Sequence, residues 1–241
     1  MSELVWHEVE CGDYTADLPL WEELADGTDK PIMELGCGAG RVTLHLARRR
    51  RLLVIGLDRN RELVEAVWEK GHGTTGDAEH GDVRAFEAMA TKFSLVIAPM
   101  QLIQLLGDSG NRVACLECTV ANMLPGGRAA FAIVEELPAL PPGASAPPLP
   151  DVRQIEGWIY SSLPLESITG PDAILLRRLR QTVDPEGNTS EELNEIELAV
   201  LSAERLEEEG SAAGLRPAGR RQIPATEAHV GSTVVLFEKE A

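Results

Sequence analysis

Glu34, Asp58, Asp82 and three alternating glycines are the residues of this chain whose types and spacing could do chemistry. Glu34 stands just before Gly36, Gly38 and Gly40 in the stretch P-I-M-E-L-G-C-G-A-G-R at 31–41. A turn that needs three glycines is one where the backbone takes positive φ or comes close to a ligand. At the head of a helix it also offers unpaired N–H groups to an anion. A carboxylate such as Glu34 beside that turn suits a ligand with an ammonium group better than one with a pyrophosphate. Asp58 follows Gly38 by twenty residues, at the end of the apolar run L-L-V-I-G-L. In nucleotide-binding folds an acid there accepts hydrogen bonds from ribose hydroxyls, a role compatible with capping a helix at 61–70. Asp82 comes next, in H-G-D-V at 80–83.

The octapeptide E-L-G-C-G-A-G-R resembles motif I of the class I S-adenosylmethionine-dependent methyltransferases of small-molecule type, E/D-x-G-x-G-x-G. The dinucleotide fingerprint G-x-G-x-x-G does not fit. Counting from Gly36 and Gly38 puts Arg41 in the third glycine's place, and counting from Gly38 and Gly40 puts Thr43 there. The order and intervals of Glu34, the glycines, Asp58 and Asp82 are similar to the family's. The resemblance implies S-adenosyl-L-methionine as cofactor. It implies a cofactor site at Tyr14, Glu34, Gly36, Cys37, Gly38, Gly40, Arg41, Asp58, Arg59, Asp82, Val83 and Pro99. In it Asp82 would read the adenine amino group and Tyr14 would close over the methionine end. The implied activity is methyl transfer to an N or O nucleophile of a small molecule. The alternatives are a non-catalytic S-adenosylmethionine sensor and an NAD-dependent oxidoreductase.

The elements that must position these groups follow from periodicity. Apolar 32–35, 52–57 and 93–98 read as buried strands, a short strand is expected within 74–79, and 128–134 reads as the fifth. Helices are expected at 39–50, at 61–70, in a turn at 101–106 and at 111–124 with Ser109 as cap. A short helix should open near Leu18–Leu20. Strand and helix alternate to about residue 135, which implies a mostly parallel sheet covered on both faces. Residues 138–150 are rich in Pro, Gly and Ala and read as an extended linker. Strand-like runs follow at 155–160 and 174–183, then an acidic amphipathic helix at 190–210 on Ile196, Val200, Ala203 and Leu206. Runs 222–225 and 233–239 read as the last two strands.

The expected fold is therefore α/β: a Rossmann-like, mostly parallel seven-stranded sheet with helices on both faces, plus a small antiparallel β insertion after the fifth strand. Residues 1–136 and 188–241 form the cofactor-binding domain, with 1–30 as an N-terminal cap, and 137–187 form an inserted substrate lid. C-terminal strand ends line the crevice in such sheets, which places Gln101 and Gln104, Glu135 and Glu136, and Tyr160 of the insertion on the substrate side. Glu135 is the expected base. The segment A-P-M-Q at 98–101 keeps only one proline of the N/D-P-P-Y/F found in the family's amine-directed and glutamine-directed branches, which with the acidic surface argues against DNA, RNA and ribosomal-protein substrates.

The 241 residues suffice for one domain with a sizeable core. With 22 Lys and Arg against 39 Asp and Glu, the net charge of −17 repels nucleic acid and anionic lipid. The basic runs are 48–51, read as the solvent-facing end of a helix, and 216–221. No apolar run reaches the ~18 residues of a membrane span, and M-S-E-L-V-W-H-E is unlike a secretory signal. Thiols at Cys11, Cys37, Cys115 and Cys118 suit a reducing, cytoplasmic location. The pair Cys115 and Cys118 falls in a helical pattern without a second pair, so no metal is expected. The expected partner is a small-molecule substrate, with no nucleic acid or membrane, on a monomer or homodimer.

Overall fold

The structure, a computed structural model, describes residues 2–135, 137, 149–226 and 229–241. Two helices open it, α1 (Glu3–Cys11) and α2 (Leu18–Asp26). Next come β1 (Ile32–Leu35), α3 (Arg41–Arg50), β2 (Val54–Asp58), α4 (Arg61–Lys70) and β3 (Gly76–His80). The chain then returns to the other side of β1 with β4 (Phe93–Ala98), α5 (Leu102–Leu105), α6 (Ser109–Asn122) and β5 (Met123–Ile133). An antiparallel unit follows: β6 (Asp151–Ile155), β7 (Trp158–Thr169), β8 (Ala173–Val183) and β9 (Thr189–Ala199). Helix α7 (Ala203–Ala212) leads into the closing hairpin β10 (Leu215–Ile223) and β11 (Ser232–Lys239).

The main sheet has the order β10-β11-β5-β4-β1-β2-β3. Strand β11 runs antiparallel to both neighbours and the other pairings are parallel. Period-two alternation divides the core between its faces. Met33, Leu35, Phe131 and Phe237 pack with Leu116 of α6 and Leu206 of α7. Ile32, Ala130, Ala132 and Val234 pack on the other side with Trp21 of α2 and Leu46 of α3. The expected fold holds, with its helices on both faces and its terminal strand antiparallel.

Several boundaries move. The run at 155–160 is two strands. A two-residue turn at Glu156 and Gly157, with φ of 50° and 86°, joins β6 to β7, and such doubly left-handed turns match the twist of a hairpin. The helix expected at 190–210 begins only at Ala203. Its first half is β9, in full register with β8 from Val183↔Thr189 to Ala173↔Ala199. The acids that suggested a solvated helix face are cross-strand partners: Arg177 donates to Glu195 at 2.6 Å and Gln181 to Glu191 at 2.6 Å. The antiparallel unit thus runs on to Ala199, past the boundary placed at 187. The closing hairpin starts at Leu215, earlier than 222, and Asp108 caps α6 in place of Ser109, accepting from Asn111 N at 2.9 Å. The linker expected at 138–150 lies, as far as residue 148, outside the described residues.

Helix α1, absent from the sequence reading, ties the two sheets together. Glu8 pairs with Lys70 of α4 and, at 3.2 Å, with Arg153 of β6. Glu10 accepts both ends of the Arg180 fork at 2.8 Å, and Arg180 lies 5.0 Å over the Trp6 ring.

Candidate active site

A cleft of about 420 Å³ opens at the C-terminal ends of β1, β2 and β4. Strand β1 lies between β2 and β4, so the chain reverses direction across the sheet here, which is where open α/β sheets bind ligands. Glu34 of β1, the turn at Gly36, Cys37 and Gly38, Arg41, Asp58, Arg59, Asp82, Val83 and Pro99 all line it.

Gly38 has φ of +54°, and a Cβ there would stand 2.0 Å from His7 Nε2. That φ favours glycine, and the His7 ring of α1 lies in the space a Cβ would take. Asp58 fastens the turn to β2: Oδ2 accepts from Gly38 N at 2.9 Å and Oδ1 from Asn60 N at 2.8 Å. The capping of α4 falls to Asn60, which accepts from Glu62 N at 3.0 Å.

Glu34 is 3% exposed and accepts a hydrogen bond from Thr43 Oγ1. Burial pushes its carboxyl up to about 8, against the pull of Thr43 and Arg41. An acid held so far above its ordinary range is one that a nearby cation would ionise. Asp82 is the opposite case. Hydrogen bonds from the Arg84 side chain and backbone hold its carboxyl down at about 2. Arg41 lines the cleft, but both arms of its fork grip the buried Asp17 at 2.7 Å, which Trp21 also holds at 2.9 Å. That cluster locks the α1–α2 segment onto α3.

The opposite wall comes from the antiparallel sheet. Leu176 and Ile196, a cross-strand pair of β8 and β9, reach the cleft together with Leu198. Met100, Leu102, Leu105 and Leu106 after β4 complete an apolar side, and His7 and Cys11, one turn apart on α1, close the mouth. Sequence reasoning missed these residues. Leucines on a strand carry no chemical signature, and α1 escaped notice although its apolar Trp6 and Val9 face the body.

Some expected site residues lie elsewhere. Tyr14 is buried beneath the Arg41 guanidinium, 5.1 Å from ring centre, and against His229. Tyr160 packs edge-on against Trp6 outside the cleft. Gln104 is fully buried; its amide donates to the carbonyls of Val134 and Ala199 and accepts from Val134 N, joining β5 to β9. Glu135 accepts from Ala203 N and Thr233 Oγ1, both at 2.9 Å, so the expected base is a clamp on α7 and β11. Gly40 caps α3 outside the cleft lining. Gln101 does line the cleft, donating to Ser232 Oγ at 3.1 Å, and Glu136 lies outside the described residues.

Residues 32–127, which include the turn and all three acids, match the family model described as a methyltransferase domain. That segment is a methyltransferase domain. No curated protein matches the chain in sequence. Solved structures do match the methyltransferase along its whole length. The sugar N-methyltransferase KedS8 from Streptoalloteichus sp. has 15% identity and a TM-score of 0.77, over 100% of this chain and 94% of that one. CalS10 from Micromonospora echinaspora, an amino pentose methyltransferase with S-adenosylmethionine bound, has 18% and 0.72, over 98% and 96%. DesVI from Streptomyces venezuelae has 16% and 0.73, over 100% and 99%. At these identities the likeness is one of fold.

The methyltransferase's cleft suits S-adenosylmethionine by its acceptors. Glu34 is a buried acid in want of a cation. Asp58 is an ionisable acceptor beside the turn, and Asp82 an ionised one at the rim. These match the ammonium, the ribose hydroxyls and the adenine amine. Among the described residues no helix is long and apolar enough to cross a membrane.

Proposed function

We propose that this methyltransferase acts on an amine nitrogen of a small molecule, held between the glycine turn and the inward face of the antiparallel sheet. The observation that carries this reading is one cleft with Glu34, Gly38 and Asp58 on one wall and Leu176, Ile196 and Leu198 on the other. In the same reading, 151–199 serve as the substrate lid. S-adenosylmethionine brings an electrophilic methyl on its sulfonium. The chain's work is to align an acceptor in line with that bond and to keep water out. Glu34 holds the cofactor ammonium, Asp58 the ribose hydroxyls and Asp82 the adenine amine. The apolar wall seats the acceptor's carbon skeleton, and Gln101 offers its polar end.

Nitrogen is favoured over oxygen for a chemical reason. A neutral amine brings its own lone pair, whereas an alcohol needs a base within hydrogen-bond reach. The base expected from sequence, Glu135, is occupied by Ala203 and Thr233. The sugar N-methyltransferase and the amino pentose methyltransferase among similar structures support the same acceptor class. The arginines of the basic run 216–221 are each neutralised: Arg216 by Glu238, Arg220 by Glu204 and Glu207, and Arg221 by Glu23. This supports a reading without nucleic acid; a cytoplasmic location and a monomer or homodimer belong to the same proposal.

The test has two stages. Calorimetry should give binding of S-adenosylmethionine and S-adenosylhomocysteine and none of NAD. A panel of amino sugars and small cyclic amines, each with its hydroxyl counterpart, should then show methyl transfer to the amines. Turnover of the hydroxyl compounds alone would overturn the choice of nitrogen. Cofactor binding without turnover on any panel member would favour a sensor.

A further inference from the structure

We propose that His7 is a cofactor-binding residue, presenting an Nε2–H donor over Gly38 to an acceptor oxygen of S-adenosylmethionine. The inference deepens the reading above and rests on it.

The geometry comes from α1. His7 lines the cleft, and its Nε2 edge occupies the space a Cβ on Gly38 would need, 2.0 Å from that position. The ring therefore lies against the turn that must carry the cofactor. The other ring nitrogen, Nδ1, is buried without a hydrogen-bond partner. A buried N–H left unpaired costs more than a buried lone pair left unpaired. The tautomer this favours carries its hydrogen on Nε2 and leaves Nδ1 bare. Burial also holds the imidazole below its ordinary pKa, against the fields of Glu8 and Asp58, which favours the neutral ring.

His7 adds an uncharged ring donor to a wall lined otherwise by acids and arginines. Glu34, Asp58 and Asp82 are acceptors in their ionised forms. The arginine forks of Arg41 and Arg84 are already closed on Asp17 and Asp82. The cofactor has oxygen acceptors as well as donors, in its carboxylate and its ribose hydroxyls. A neutral imidazole N–H over the turn is complementary to them and adds no charge beside the sulfonium. Helix α1 is pinned to α4 and to both β6 and β8, so the ring is held in place before the ligand arrives.

Two variants separate a donor from a packing ring. His7→Phe keeps an aromatic against Gly38 without the N–H, and His7→Gln restores a donor near the Nε2 position. Titration calorimetry on the full chain should show S-adenosylhomocysteine bound about tenfold more weakly by His7→Phe, and recovery to within about threefold in His7→Gln. Melting without ligand should be alike in both. Titration with 5′-methylthioadenosine, which lacks the amino-acid end, locates the acceptor. An equal loss points to the ribose, and a loss confined to S-adenosylhomocysteine points to the carboxylate. The proposal is overturned if His7→Phe binds as tightly as the native chain, or if both variants lose affinity equally. If the native chain itself fails to bind S-adenosylhomocysteine, the cofactor reading falls instead.

Discussion

Replacing Glu34 with Gln should stabilise the ligand-free protein while impairing cofactor binding. The unfolded chain's carboxyl titrates near 4.5, while burial in β1 pushes the folded one up to about 8. Below the lower value both states hold the proton, and the stability this group contributes is fully present. As pH rises between the two values the unfolded state ionises and the folded state does not, so stability is lost at ~1.4 kcal/mol per pH unit. Above the folded value the loss is complete. It amounts to about 2 kcal/mol at pH 6, about 3 at pH 7 and about 4 at pH 8. Glutamine is neutral throughout and still accepts from Thr43, so Glu34→Gln should exceed the native chain by these amounts. Urea unfolding at the three pH values reads the difference directly. The cofactor ammonium reverses the preference, because it needs the ionised carboxylate. Cofactor binding to the native chain should therefore release a proton, and below pH 8 its affinity should fall up to about tenfold per unit. Calorimetry in buffers of different ionisation enthalpy counts that proton. A stability difference that is flat with pH, or S-adenosylhomocysteine bound equally well by Glu34→Gln, would refute the reasoning.

Asp58→Ala should weaken S-adenosylhomocysteine binding by ~1.5–3 kcal/mol, since it removes a charged acceptor from the turn; an unchanged dissociation constant in a folded variant removes Asp58 from the ribose site. Ile196→Glu sets a carboxylate in the apolar wall opposite the turn. It should lower methyl transfer by a factor on the order of 10² through misplaced acceptor, with S-adenosylhomocysteine affinity kept within about tenfold; loss of cofactor binding in the folded variant would contradict the division of labour between the walls. Arg112→Met leaves the Glu209 carboxylate, 3% exposed, without the fork that holds it at 2.7 and 2.8 Å. Denaturant unfolding should show a loss of about 3 kcal/mol, and Arg112→Met with Glu209→Gln should recover part of it.

The wall of the cleft that carries the glycine turn was legible because its information is local. A strand, a glycine turn and a helix are contiguous in 31–41, and Asp58 and Asp82 follow at intervals set by one strand–helix unit each. The alternation that splits Ile32 from Met33 and Ala130 from Phe131 likewise gives the sheet its two buried faces. What lies at strand ends was not legible, because residue type does not set side-chain direction. Gln104 and Glu135 sit where substrate groups could, yet tertiary contacts turn both toward backbone that would otherwise go unsatisfied. The segment 190–210 satisfied a helical period at Ile196, Val200, Ala203 and Leu206. Register with β8, and the arginine and glutamine there that meet its acids, decided in favour of a strand for its first half. The opposite, apolar wall belongs wholly to the tertiary structure. It joins His7 and Cys11 of α1 to Leu176, Ile196 and Leu198, far apart in the chain. Only the packing of α1 between two sheets brings them to the mouth of one cleft.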